Sequence, residues 1–324
     1  MACDDSPGLL IALVAKGIQD YSPEIYNSHS RFLTGIHQFS YQKLSVTTST
    51  NNTIISYTLL KTCDFVNKID LLLPNPNQLS INKIIKSITI LVGNKIIDKI
   101  NGDVETIIKT DSILFKRKIS HINDKTFIPL NLAPLYSFNM IQPSYKVEDV
   151  KINVEYCENY NHHDVELYGN KYVVDTNERK LYFNQPHSFH TIQHQYIIEK
   201  THQYISNYSY TINFDYPLYA IYFWGIDKIT NIRLSLNGYD FYNGTVEALE
   251  HYKLSRGYDI SPIMFLFSEN DFDDSSKSTI NFSRIDSAQL YISTDQREDK
   301  DVHIVALSLQ TFSHIDGFAG IKFL

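Results

Sequence analysis

Apolar and β-branched residues recur in short runs separated by polar turns along most of the chain. Residues 53–60 (TIISYTLL), 84–92 (IIKSITILV) and 104–109 (VETIIK) are Ile/Thr/Val-rich and bounded by polar segments, so each predicts a strand. Gly93 and Asn94 separate ITILV from KIID as a hairpin loop would. In residues 146–156 (KVEDVKINVEY), Val150, Ile152 and Val154 alternate with polar residues, which predicts a strand with one buried face. A second series follows at 208–214, 218–224, 229–236, 262–267, 279–292 and 302–309. Only residues 8–20 (GLLIALVAKGIQD) carry helical spacing, through Leu9, Leu10, Leu13 and Val14, and Tyr21, Ser22 and Pro23 would stop that element.

Many short strands with few helical periods between them predict an all-β chain of sandwiches or jelly rolls, not βαβ units. The polar stretches 158–163 (ENYNHH) and 175–180 (DTNERK) put the division between two halves at about 158–190. The expected organisation is an N-terminal arm at 1–24, a first jelly roll at 25–160, a connector at 161–187 and a second jelly roll at 188–324. No internal repeat is evident residue by residue.

Composition narrows the function. The 324 residues are 43% hydrophobic with 12 Gly and 10 Pro, which excludes collagen-like and disordered classes. A formal net charge of −7 provides no global positive field to neutralise phosphates, so direct nucleic-acid binding is not expected. Cys3, Cys63 and Cys157 are far apart and in no metal-type spacing, as expected of free thiols made in a reducing compartment. The early apolar run follows Asp4 and Asp5 and is interrupted at Lys16, which supports neither a secretory signal nor a membrane span.

Candidate chemistry is sparse. His187, His190 and His194 are spaced three and four apart, and on a helix they would stack three imidazoles on one face for a divalent metal. No carboxylate follows until Glu199, so a surface or packing helix is the competing reading. Glu269, Asp271, Asp273 and Asp274 lack the Gly and distal Glu of a calcium loop and read as a solvated loop. Sequons at Asn51, Asn207, Asn243 and Asn281 read as chance in an Asn-rich chain. No nucleophile elbow, zinc-helix, phosphate-loop or dinucleotide motif is present, so no catalytic residue and no cofactor are expected. Arg284 and Asp286, read as i and i+2 of one strand, would share a face at a sheet edge or subunit contact, with Phe282 and Ile285 as apolar anchors. Tyr-rich loops and Trp224 leave a carbohydrate-binding jelly roll as a reading of another class.

The string INFSRIDSAQLYI (280–292) resembles the NFSRID signature of the major capsid proteins of the large nucleocytoplasmic DNA viruses. Other landmarks follow in the family's order. Residues 8–20 are similar to the family's N-terminal opening, 31–42 to the strand after it, 91–102 to a hairpin and 127–156 to a region holding Pro129, Leu130, Val150, Lys151 and Ile152 in register. Residues 173–200 resemble the family's interdomain segment through Asp175, Thr176, Glu178, Arg179 and the Ile197 to Glu199 stretch, and 303–323 resemble its close, with Gly317, Gly320 and Phe323. Asn131, Leu132 and Ala133 stand where the family carries aromatic residues.

The resemblance implies two tandem eight-stranded antiparallel jelly rolls and a non-catalytic role as a homotrimeric, pseudo-hexagonal capsomer tiling an icosahedral virion. It implies interface or structural roles for Asn281, Phe282, Ser283, Arg284, Ile285 and Asp286, and for Asp175, Glu178 and Arg179. The implied partners are further copies of the chain, minor capsid and penton proteins and, indirectly, an inner viral membrane, with assembly in the host cytoplasm. A minor capsomer or an assembly scaffold is the alternative within the same resemblance.

Overall fold

The computed structural model describes residues 36–115, 117–130, 149–158, 160, 164–174, 187–255, 262–267, 279–295, 298–315 and 318–322. The chain divides into two compact units, Met1–Thr191 with Gln310–Leu324, and Ile192–Leu309.

The first unit holds strands β1 (Ile36–Lys43), β2 (Val46–Asn51), β3 (Ile54–Leu59), β4 (Phe65–Pro74), β5 (Ile85–Val92), β6 (Lys95–Asn101), β7 (Ser120–Ile122), β8 (Lys125–Pro129), β9 (Val150–Tyr156) and β10 (Glu166–Val174), and helix α1 (Val104–Phe115). One sheet has the order β1-β10-β4-β8-β7 and the other β2-β3-β9-β5-β6. Alternation sets the core. Ile55, Tyr57 and Leu59 of β3, Ile88, Ile90 and Val92 of β5 and Val150, Ile152, Val154 and Tyr156 of β9 are all buried, as are Ile69, Leu71 and Leu73 of β4 and Leu167 of β10. Full burial of each aliphatic side chain contributes about 1.5–3 kcal/mol. The two tyrosines satisfy each other, with hydroxyls 2.9 Å apart.

The second series comprises β11 (His187–Lys200), β12 (Asn207–Thr211), β13 (Pro217–Trp224), β14 (Ile229–Leu236), β15 (Tyr239–Gly244), α2 (Val246–Ser255), β16 (Ile263–Leu266), β17 (Ile280–Asn281), β18 (Ala288–Thr294), β19 (Asp301–Ile315) and β20 (Phe318–Lys322). Its sheets have the orders β11-β19-β13-β16, with β17 on β13 and β20 on β19, and β12-β18-β14-β15. The core between them includes Ile221, Phe223, Ile232, Leu234, Phe265, Phe282, Leu290, Ile292 and Ile304.

Setting aside the added strands β2, β7, β17 and β20, each series has eight principal strands, and in both one sheet runs first-eighth-third-sixth and the other second-seventh-fourth-fifth. This is the jelly-roll order, made twice. A helix stands between the fifth and sixth principal strands both times, α1 after β6 and α2 after β15. The repeat has a residue-level trace. Asn101-Gly102-Asp103-Val104-Glu105 leads into α1 and Asn243-Gly244-Thr245-Val246-Glu247 into α2. In each the third residue caps the helix: Asp103 Oδ1 accepts from Thr106 N at 3.0 Å, and Thr245 Oγ1 from Ala248 N at 3.4 Å.

Several expectations are corrected. Residues 104–109 are helical because Asp103 caps them, and the buried Val104, Ile107, Ile108 and Asp111 follow the 3.6-residue period despite high β-propensity. Residues 161–187 are not merely a connector, since β10 lies between β1 and β4 inside the first sheet. By compactness Gln310–Leu324 group with the first unit, although β19 and β20 belong to a sheet of the second series. Residues 279–292 are not one strand: Asn281 Oδ1 accepts from Ser283 N at 3.1 Å and turns Phe282–Arg284 into a 3-10 turn. The Gly93-Asn94 hairpin is present, with Val92 opposite Lys95 and Gly93 at φ 60°. The N-terminal arm, Asp175, Glu178, Arg179 and the acidic stretch Glu269 to Asp274 lie outside the described residues.

Candidate interaction surface

The turn at Asn281–Asp286 is built around the entry to β13. Tyr216 takes φ 70°, a left-handed conformation that is uncommon in bulky residues and costs them about 1–2 kcal/mol. Both its backbone groups are held by the turn: Tyr216 N donates to Ser283 Oγ at 2.8 Å and Tyr216 O accepts from Phe282 N at 3.0 Å. Its neighbour Asp215 is held from β11, where Gln195 Nε2 donates to Asp215 O at 2.6 Å and Gln195 Oε1 accepts from Asp215 N at 2.9 Å. Ile285 N closes the 3-10 turn on Phe282 O at 3.0 Å.

Phe282 points into the core at 3% exposure and meets Phe267, with ring centroids 5.7 Å apart. Phe267 meets Phe241 of β15 at 5.1 Å, so a row of three rings runs from the core to an exposed strand. On the other side the loop is tied to the β14–β15 hairpin. Ser287 N donates to Asn237 Oδ1 at 3.0 Å and Asn237 N donates to Ser287 O at 2.7 Å. Asn237 and Gly238, at φ 50° and 81°, form the Asn-Gly turn suited to a two-residue hairpin.

Arg284 and Asp286 are exposed, and neither side chain makes an ion pair or hydrogen bond to any described residue. Their charges are presented by a loop fixed at both ends. That differs from the expected pair on one strand face: Arg284 ends the 3-10 turn and the chain becomes extended only at Ile285. Nearby charge is already satisfied. Arg233 Nε donates to Asp240 Oδ1 at 2.6 Å, and the Arg233 guanidinium lies 5.1 Å from the Tyr291 ring centroid.

The other sequence candidates do not converge. His187, His190 and His194 lie on β11, a 14-residue strand, so the helix that their three-and-four spacing called for is not formed. His194 is buried. No group of three or more His, Cys, Asp or Glu placed to hold a metal exists among the described residues. Trp224 ends β13, half-buried, stacked on His303 at 5.0 Å and on Tyr222 at 6.0 Å, not in a loop crown. Asn237 and Tyr216 were missed as members of the turn's framework. The Asn-Gly dipeptide between two apolar runs was the signal available for the first of these, whereas nothing in the sequence marks Tyr216 for positive φ.

No protein-family model and no curated protein matches the chain. Solved structures do. PBCV-1 VP54, fitted into a cryo-EM reconstruction of the virophage Sputnik, matches with a TM-score of 0.73 at 14% identity, over 89% of this chain and 97% of that one. The Faustovirus major capsid protein matches at 0.62 and 8% identity, over 93% and 96%. The major capsid protein of bacteriophage PM2 matches at 0.56 and 11%, over 89% and 98%. The likeness lies in the fold, and it extends over both jelly rolls.

Proposed function

We propose that the chain is the shell subunit of an icosahedral DNA virus, located in the virion, in which three copies form a pseudo-hexagonal capsomer. The observation that carries this reading is the tandem repetition of one jelly-roll strand order in a single chain. Three such chains supply six similar sandwiches around a threefold axis, and a six-cornered tile can pave a flat facet by lateral contacts. The role is geometric and calls on no catalytic group. Its partners are other copies of itself and further virion components, minor capsid and penton proteins among them, with assembly in the host cytoplasm.

An outer sheet face of the second series fits lateral contacts in water. Ser209, Thr211, Gln289, Ser293 and Asn231 line the outside of the β12-β18-β14-β15 sheet, a polar surface that stays soluble before assembly. The test is multi-angle light scattering on purified protein at micromolar concentration and physiological salt. A stable three-chain mass is expected; a monodisperse monomer would overturn the reading.

A further inference from the structure

We propose that the Asn281–Ser287 loop and the edge strand β15 form a self-contact in which two copies of this chain meet about a twofold axis, Arg284 of each facing Asp286 of the other. The inference rests on the proposed shell function and adds to it the surface through which capsomers join.

Three observations carry it. Arg284 and Asp286 are exposed opposite charges with no intrachain partner among the described residues, on a loop pinned by Asn281, Ser283 and Asn237. A flexible pair would lose side-chain and backbone freedom on binding, whereas a pinned loop has already lost much of it. Next to the loop, β15 is hydrogen-bonded only to β14 and ends its sheet, leaving its other edge open among the described residues. That edge has none of the usual guards: its sequence YDFYNG contains no Lys and no Pro, and its only charge, Asp240, is neutralised by Arg233. Finally, Tyr239 is 82% exposed and Phe241 44%, large aromatic surface of the kind that anchors interfaces.

Charge identifies the occupant. The chain carries −7 overall, so two copies repel unless they meet where positive and negative groups are balanced. The loop offers one of each, two residues apart. In an isologous contact residue i meets j while j meets i, so a twofold axis beside the loop satisfies all four charges with the same two side chains. A capsomer's own threefold contacts are heterologous and cannot do this, which places the twofold contact between capsomers.

Sedimentation velocity of the full chain, up to its solubility limit at physiological salt, tests the proposal with Arg284→Asp, Asp286→Arg and the double exchange. The wild type is expected to form species larger than the capsomer. Each single reversal places like charges together twice and should weaken that step at least about tenfold, while leaving the capsomer and the thermal midpoint unchanged. The double exchange should restore it. Larger species indifferent to the single reversals, a double exchange that fails to restore them, or a wild-type capsomer with no larger species would each overturn the self-contact and leave the shell reading standing. A wild-type monomer–dimer equilibrium sensitive to the reversals would uphold the self-contact and overturn the three-chain capsomer.

Discussion

Within one hexapeptide, neighbouring residues should differ several-fold in their effect on stability. Phe282 is 3% exposed and lies in the core of the second unit against Phe267, so Phe282→Ala removes a buried ring and leaves a cavity between two sheets, a change that costs about 3–5 kcal/mol. Ser283→Ala removes the acceptor for Tyr216 N in a loop that is partly solvated, which costs about 1 kcal/mol and loosens a residue held at positive φ. Arg284→Ala deletes an exposed side chain with no partner among the described residues and should stay within about 0.5 kcal/mol of the wild type. The assay is built into the sequence. The chain has one tryptophan, Trp224, on β13 of the second unit, so urea unfolding followed by fluorescence excited beyond tyrosine absorption reports that unit. The midpoints should fall in the order wild type, Arg284→Ala, Ser283→Ala, Phe282→Ala. A Phe282→Ala loss under about 1 kcal/mol, or an Arg284→Ala loss as large as that of Phe282→Ala, would refute the packing described for the turn.

Three further perturbations probe other elements. Arg117 donates to Asp70 Oδ1 at 2.7 Å and to the carbonyls of Ile69 and Leu130 at 3.1 Å each, so Arg117→Leu leaves a half-buried carboxylate with the Tyr41 hydroxyl, 2.7 Å from its Oδ2, but without the Arg117 cation, and should cost about 3 kcal/mol at neutral pH. Burial already pushes the Asp70 carboxyl above its ordinary value against the pull of Arg117, so the folded variant binds the proton more tightly than the unfolded chain. Circular dichroism melts should therefore show part of the loss recovered as pH falls, and an equal loss at all pH values would contradict this. Burial works to raise the Glu105 carboxyl too, but hydrogen bonds from Lys109, Ser80 and Ile81 N prevail and hold it below 4.5; its contribution is present above that value and disappears as pH falls through the lowered folded value, so Glu105→Gln should destabilise by about 1 kcal/mol at pH 7 and by less in acid. Two glycines should part company. Gly238 has φ 81° with open space where a Cβ would stand, so Gly238→Ala costs about 1 kcal/mol of backbone strain, whereas a Cβ on Gly225 would lie 2.1 Å from Asp301 O; equal melting temperatures for the two alanine variants would rule out that close approach.

The strand ladder was legible because each roll buries one face of its strands, and alternation such as Val150, Ile152 and Val154 survives an Ile- and Asn-rich composition. Three things were less legible, each for a physical reason. Residues 104–109 are rich in Val, Thr and Ile, whose β-propensity conceals a helix that is decided by the Asp103 cap and by the spacing of Val104, Ile107, Ile108 and Asp111. The histidine run was read at helical period although it lies in a 14-residue strand, because three-and-four spacing alone does not distinguish a helix from a strand. Strand β10 resembles a linker because it carries Glu166, Gly169, Asn170 and Lys171, yet a strand between two neighbours needs few apolar side chains of its own. Leu167 fills the core while Tyr168 stacks on Tyr41 at 5.6 Å on the opposite face.

The repetition of the strand order was the deeper omission, and one junction shows why. Strands can exchange apolar residues freely so long as alternation and volume are kept, so two rolls of one strand order need share no residues there. The entry to the helix is less forgiving. After the fifth principal strand the chain must turn, cap a helix and return to the core within a few residues, and Asn-Gly followed by a capping Asp103 or Thr245 and by Val104 or Val246 meets all three demands. A five-residue echo 142 positions apart is too short to notice in a search for repeats, yet it lies at the one junction where backbone geometry limits the choice of residues. The NFSRID turn belongs to the same class of constraint. Asn281 bends the chain, Phe282 anchors it and Ser283 holds Tyr216 at positive φ, so half of the hexapeptide is fixed by folding before any partner is considered. What folding does not account for is Arg284 and Asp286. They are the residues of that turn that local packing leaves free to vary, and a role for them has to be sought outside the single chain.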